Sequence, residues 1–252
     1  HLSATKHQDE SLKHSAMKHL SLFTVLSILY MMNIPEAEGQ DNYDPNDWAN
    51  LNYYRSANAT LSRVTADETR IIFMGNSITE GWLKSDPAFF AGKPYVNRGI
   101  SGQTTPQMLI RFRQDVIDLQ PKVVVLLAGT NDIAENRGPT TLEAIYENIV
   151  SMAELAKVHN IRMVLCSVLP VYDYPWRPGL QPAEKIYRLN KMLEAYCRQQ
   201  DIVYVDYHTP MSDERKGLQK IYGEDGVHPN LTGYRYMEPL VEAGIAEALK
   251  TK

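Results

Sequence analysis

The sequence predicts an α/β protein built on a parallel sheet with helices on both faces. Three observations carry that expectation. Short runs that are apolar throughout recur along the chain, segments with amphipathic helical spacing alternate with them, and glycine or polar residues follow the runs. Strands without a polar face need cover on both sides, and right-handed crossovers stack the intervening helices there.

The expected strands are Arg70–Met74, Tyr95–Asn97, Lys122–Ala128, Arg162–Val168 and Ile202–Asp206. Thr105-Pro106 opens the first long helix, with a capping hydroxyl and a proline in the first turn; Leu109, Phe112, Val116 and Leu119 form its apolar stripe. Thr141 opens the next, striped by Leu142, Ile145, Ile149, Met152 and Leu155 or Ala156. A third starts near Pro182 with Ile186, Leu189, Leu193 and Tyr196 inward. The last covers roughly Thr232 to Leu249, with a kink expected at Pro239.

With 252 residues, 44% hydrophobic and 22% charged, the chain has ample apolar material for a core. Its net charge of −4 comes without any block of like charge, which argues against nucleic acid or an anionic membrane surface as partner. No Cys/His cluster has metal-ligand spacing, so no structural zinc is expected. Cys166 lies in an apolar run and Cys197 near the end of a helical pattern, which favours buried free thiols over a bridge.

The N-terminal part reads differently. From Met17, a short basic start (Lys18, His19) precedes an apolar run from Leu20 to Met32, with small residues at Ala37-Glu38-Gly39. That is the layout of a secretory signal peptide over 17–39, the run being short for a membrane span; a retained anchor and a chance hydrophobic arm are the alternatives. Residues 1–16 are then upstream or added sequence. An exported protein follows, with one domain over 40–252 and no stable membrane insertion after cleavage.

In parallel sheets the ligand site lies beyond the carboxyl ends of the strands. Ser77 follows the first strand, "NRGISGQTT" with Gly99 and Gly102 the second, "AGTND" the third, and "EDGVHPNLTGY" a long connection after the fifth. Together they hold the parts that acyl transfer needs: a hydroxyl nucleophile, a base, an acid to orient the base, and donors for the oxyanion. His228 suits the base, and Asp225 on the same loop can reach its Nδ1–H. The Ser77 and Gly102 backbone amides and the Asn131 side chain are the available oxyanion donors. Each fragment taken alone also fits a structural role. Gly75-Asn76-Ser77 reads as a strand end with a helix cap, Gly102 as a tight bend, and Asn131-Asp132 and Asp225-Gly226 as turns. His159 reads as a solvated cap, and His208, two residues after Asp206, is the rival base.

The ordered set of Gly-x-Ser-Ile, the glycine of "SGQTT", Gly-x-Asn-Asp and Asp-x-x-His resembles the SGNH hydrolases, the GDSL-type esterase and lipase superfamily. The family letters map to Ser77, Gly102, Asn131 and His228, with Asp225 as the triad acid. Asn76 stands where the namesake pattern has Asp, at a position outside the triad. The resemblance implies a three-layer α/β/α sandwich with a flavodoxin-like five-stranded parallel sheet, a shallow site, and neither metal nor cofactor. Thr79 stands where a Gly-x-Ser-x-Gly elbow would need glycine, so the chain departs from the standard α/β-hydrolase pattern.

The surrounding segments look most like secreted bacterial and platelet-activating-factor-acetylhydrolase-like members, which favour short acyl groups. Tyr172, Tyr174 and Trp176 on the connection Pro170–Lys185 could form a platform for a sugar ring, with Arg177 binding a polar leaving group; equally, these aromatics could pack on the domain itself. Tyr43, Trp48, Tyr53 and Tyr54 read as packing residues. The expected activity is a serine-dependent acetylesterase acting on O-acetylated carbohydrate. A lysophospholipase or thioesterase with a longer acyl groove is the first alternative, and a non-catalytic glycan-binding module the second.

Overall fold

The computed structural model describes residues 46–61, 64–65 and 68–250. The expected signal peptide and Tyr43 lie outside the described residues. Among the described residues five strands, β1 (Ile71–Gly75), β2 (Tyr95–Gly99), β3 (Val123–Leu127), β4 (Arg162–Cys166) and β5 (Val203–Val205), form one sheet in the order β2-β1-β3-β4-β5. Every pairing is parallel. The α-helices of the described residues are α1 (Arg55–Thr60), α2 (Ser77–Ser85), α3 (Pro87–Phe90), α4 (Thr105–Asp115), α5 (Thr130–Ile133), α6 (Leu142–Val158), α7 (Pro182–Gln200), α8 (His208–Met211) and α9 (Leu231–Lys250).

The three layers follow from the strand composition. Both faces of β1 and β3 are apolar and every residue in them is buried. Ile72, Met74, Val124 and Leu126 point to one side, where Met108 and Phe112 of α4, Ile149 and Met152 of α6, and Leu189 and Leu193 of α7 cover them. Ile71, Phe73, Val123 and Val125 point to the other, against Ile78 and Trp82 of α2 and Met237, Val241 and Ile245 of α9. Burying each such side chain contributes about 1.5–3 kcal/mol, so the sheet is held from both faces.

Several local details differ from the sequence expectation. The cap of α4 is Thr104, in extended conformation, whose N–H donates to Gln107 Oε1 at 3.1 Å; Thr105 is the first helical residue. Its inward face carries Met108, Arg111, Phe112 and Asp115, while Leu109 is only half-buried. The face is rotated because an ion pair, not apolar contact alone, occupies part of it. Pro239 lies inside α9, which continues through it as one helix. Helix α7 starts at Pro182, and α6 begins with Thr141 accepting from the Ala144 N–H at 3.1 Å, both as expected. Cys166 and Cys197 are free and buried, and burial pushes both thiols up to about 12.

Two glycines allow the strand ends to meet. A Cβ on Gly99 would lie 2.2 Å from the Glu80 nitrogen and 2.8 Å from the Asn76 oxygen, and one on Gly75 would lie 2.8 Å from the Leu127 carbonyl. Those contacts are with backbone, which cannot rotate away. Glycine therefore lets the first turn of α2 rest directly on the end of β2.

Candidate active site

Asn76 follows β1 and caps α2, its Oδ1 accepting from the Ile78 N–H at 3.0 Å. Ser77 is thus the first residue of a helix, where backbone N–H groups have no intrahelical acceptor. Its Oγ lies 3.0 Å from His228 Nε2. The other ring nitrogen, Nδ1, lies 2.7 Å from Asp225 Oδ2. Asp225 Oδ1 accepts from the backbone amides of Val227 and His228 at 2.9 and 2.8 Å, so the loop itself holds the carboxylate. Burial raises the Asp225 pKa, but the hydrogen bonds from His228 and Val227 outweigh it and hold the carboxyl below its ordinary value. An ionised carboxylate at Nδ1 selects the tautomer that leaves Nε2 free to accept from a hydroxyl.

The remaining two expected residues stand on neighbouring strand ends. Gly102 sits at φ +73° in the turn from Ile100 to Gln103, a conformation in which a Cβ is strained although no neighbour lies within 4 Å of one. Glu80 Oε2 accepts from the Ser101 N–H at 2.8 Å, which ties the turn to α2. The Asn131 side chain is buried and donates through Nδ2 to the Gln103 carbonyl at 3.0 Å, linking the third strand end to this turn. Nδ2 carries a second hydrogen.

Beneath the turn lies a group that periodicity did not single out. The fully buried Arg111 guanidinium donates to Gln103 Oε1, to the Gly75 carbonyl at 2.9 Å and to Asp115 at 3.0 Å. Gln103 Nε2 in turn donates to the Ala49 carbonyl at 2.9 Å. The clue in the sequence was the pair of opposite charges Arg111 and Asp115 at i,i+4 spacing, each directly before an apolar residue of the stripe, Phe112 and Val116.

Of the rival and peripheral residues, His208 is buried with Nε2 unpartnered, and its backbone amide donates to Ser167 Oγ at 2.9 Å. His159 ends α6 on the approach to β4, at the opposite edge of the sheet. Tyr53 donates to Glu80 Oε1 at 2.7 Å, Tyr54 to the Gly99 carbonyl, and the Trp48 carbonyl accepts from Gln107 at 2.6 Å. Tyr54 thus braces the β2 end, whereas the Trp48 and Tyr53 side chains stay about two-fifths exposed.

The aromatic connection divides. Tyr174 is buried, its hydroxyl 2.9 Å from both the Thr130 carbonyl and the Thr130 hydroxyl, so it belongs to the domain's packing. Tyr172 lies under the Arg215 guanidinium at 4.7 Å. Arg177 pairs with Glu135 at 3.1 Å. Trp176 alone remains beside the site, 44% exposed, with its ring centre 6.1 Å from that of His228. Among the described residues no group of side chains could hold a metal ion.

Groups of this kind beyond the strand ends of a parallel α/β sandwich are the set that acyl transfer uses. The chain belongs to the GDSL-like lipase/acylhydrolase family, whose pattern matches residues 73–236, and through it to the SGNH hydrolase superfamily. It is 48% identical to a GDSL-like lipase of Bacteroides thetaiotaomicron, with a TM-score of 0.78 over 79% of this chain and 98% of that one. It is 26% identical over 163 residues to Esterase TesA of Pseudomonas aeruginosa, covering 63% of this chain and 74% of that protein. A Bacillus subtilis protein named uncharacterized lipoprotein YqeF is 35% identical over 81 residues; that match covers 31% of this chain and 33% of YqeF, so the chain spans about a third of that relative. Family membership places the protein among the acylhydrolases and esterases.

Asp132, next to Asn131, is buried and accepts from the Thr105 N–H at 2.9 and 3.0 Å and from its hydroxyl at 2.6 Å. Burial is the largest influence on it and outweighs those bonds, raising its pKa to about 6. The folded state therefore holds this proton more tightly than the unfolded chain. The resulting stability is fully present below about pH 4 and is lost as pH rises through about 6, on the order of 3 kcal/mol. Urea midpoints of wild type and Asp132→Asn across pH 4–7 are expected to diverge in slope in that window. Parallel profiles would show that the carboxyl does not titrate there.

Proposed function

We propose that Ser77 is the nucleophile, His228 the general base and Asp225 the residue that orients it, with the Ser77 and Gly102 amides and Asn131 Nδ2 as oxyanion donors. The observation that carries this reading is the unbroken series from Ser77 Oγ through His228 to Asp225, at 3.0 and 2.7 Å. Ser77 Oγ attacks the acyl carbon while its proton passes to His228 Nε2, and the carbonyl oxygen becomes the oxyanion. Collapse of the tetrahedral intermediate expels the alcohol, which takes the proton from His228. A water then gives its proton to His228 and attacks the acyl-enzyme, and collapse of this second intermediate releases the acid as His228 returns the proton to Ser77 Oγ.

The natural substrate on this reading is a short acyl ester, an acetate, carried on carbohydrate. Trp176 supports it, because an exposed indole beside the proposed base offers a flat apolar face to a sugar ring at the leaving-group side. Export is part of the same proposal. Its supports are the leader-like segment at 17–39 and the relative that carries a lipoprotein name. Among the described residues no helix is long and apolar enough to cross a membrane.

Hydrolysis of p-nitrophenyl esters from acetate to palmitate is expected to peak at acetate, and Ser77→Ala to lose essentially all activity. A mutant that keeps wild-type turnover would overturn the nucleophile, and an optimum at long chains would transfer the substrate to the lysophospholipase or thioesterase class. Trp176→Ala is expected to lower kcat/KM on acetylated xylan relative to p-nitrophenyl acetate by roughly three- to tenfold, the size of one lost aromatic contact. An unchanged ratio would remove the sugar platform. Expression of the full chain in a bacterial host should yield a mature protein starting at Gln40 in the exported fraction; retention of the intact leader in the cytoplasm would contradict export.

A further inference from the structure

The Asn131 amide can act on an oxyanion only if its nitrogen, not its oxygen, faces the reacting group. Something must decide between two orientations that differ little in shape. One end of the decision is the Gln103 carbonyl, which can only accept and lies 3.0 Å from Nδ2. The other end runs through Asn136. Its Nδ2 donates to Asn131 Oδ1 at 3.0 Å, and its own Oδ1 accepts from Trp176 Nε1 at 3.0 Å. An indole N–H only donates. Trp176 therefore obliges Asn136 to present its oxygen outward and its NH2 to Asn131, and Asn131 must answer with its oxygen. The chain has a donor-only group at one end and an acceptor-only group at the other, and a single polarity satisfies every link.

We propose that Asn136 is a positioning residue that fixes the orientation of the Asn131 amide, and that Trp176 holds Asn136 in that role. The inference rests on the reading of Asn131 as an oxyanion donor. It also makes Trp176 a link between the leaving-group side and the oxyanion side of the site, through two side-chain hydrogen bonds. Asn136 is half-buried, and its backbone N–H separately donates to the Asn131 carbonyl at 3.0 Å, so the loop keeps a main-chain tie when the side chain is changed.

The informative substitution is Asn136→Asp. A carboxylate still accepts from Trp176, but its second oxygen would oppose Asn131 Oδ1. The Asn131 amide then meets an acceptor on both sides, Gln103 and the new carboxylate, and is expected to lose the single orientation that points Nδ2 at the developing negative charge. Asn136→Ala only removes the tether. With p-nitrophenyl acetate and the full chain, Asn136→Asp should lower kcat by roughly 10- to 100-fold with little change in KM, and Asn136→Ala by less. In an Asn131→Ala background, Asn136→Asp should change kcat less than about twofold, because residues acting through one another are not additive. Wild-type kcat in Asn136→Asp, or an equal loss in both backgrounds, would overturn the proposal. Wild-type kcat in Asn131→Ala would instead overturn the oxyanion reading beneath it. If Asn136→Asp does not fold, Trp176→Phe removes the indole donor and keeps a ring; on p-nitrophenyl acetate it should lower kcat by a clearly smaller factor in the Asn131→Ala background than in the wild-type background, and the same loss in both would overturn the proposal.

Discussion

Gly75 is in register with Gly99 on one side and Leu127 on the other, so three neighbouring parallel strands stop at the same level. The rest of the architecture depends on that register. The chain leaves β1 into Ser77, β2 into the Ile100–Gln103 turn, and β3 into Gly129–Asn131, all from one edge of the sheet. The strand order reverses direction between β1 and β3, which opens a crevice where ligands bind in sheets of this kind. A slip of one residue would move a strand end by about 3.3 Å and turn its side chains to the opposite layer. Either change would separate groups that now stand within hydrogen-bond reach.

A buried polar network locks this level from below. Taking the Arg111 and Asp115 charges out of water is costly, and the cost is offset only where the geometry is complete. Here Nε, Nη1 and Nη2 of Arg111 each find an acceptor, and Asp115 also accepts from Asn58 at 2.7 Å. The planar guanidinium can reach the end of β1 and the Gln103 side chain at once, which a lysine ammonium on its flexible stem would not reproduce. Gln103 then passes the constraint upward, its side chain to Ala49 and its carbonyl to Asn131. The proposed catalytic loops are thus short and polar but sit on an ordered base.

Much of this was legible from the sequence, for identifiable reasons. Strands β1 and β3 are apolar on both faces and β4 nearly so, and these stand out without any knowledge of their partners. Ser77, Gly102 and Asn131 each follow such a run closely, and His228 and Asp225 lie three apart on one loop. Thr141 and Pro182 mark helix starts by local chemistry that is independent of the fold. Arg111 was hidden because a charged residue among Met108 and Phe112 reads as turned toward solvent until its acceptors are known. Leu109 was assigned inward for the same reason. On the aromatic connection, Tyr174 and Trp176 are two residues apart and similar in character, and composition does not separate the one that packs from the one that stays exposed.

The sequence by itself determined the element types, the parallel sheet with cover on both faces, the family and the set of candidate site residues, because periodicity, capping and short motifs act within a few residues of chain. Only the tertiary structure decided which of these groups touch. Ser77 meets His228 across 151 positions, Arg111 reaches the Gly75 carbonyl across 36, and Trp176 reaches Asn136 across 40. No local propensity encodes those pairings. They follow from strand register and helix packing, which place each side chain to within the few tenths of an ångström that a hydrogen bond tolerates.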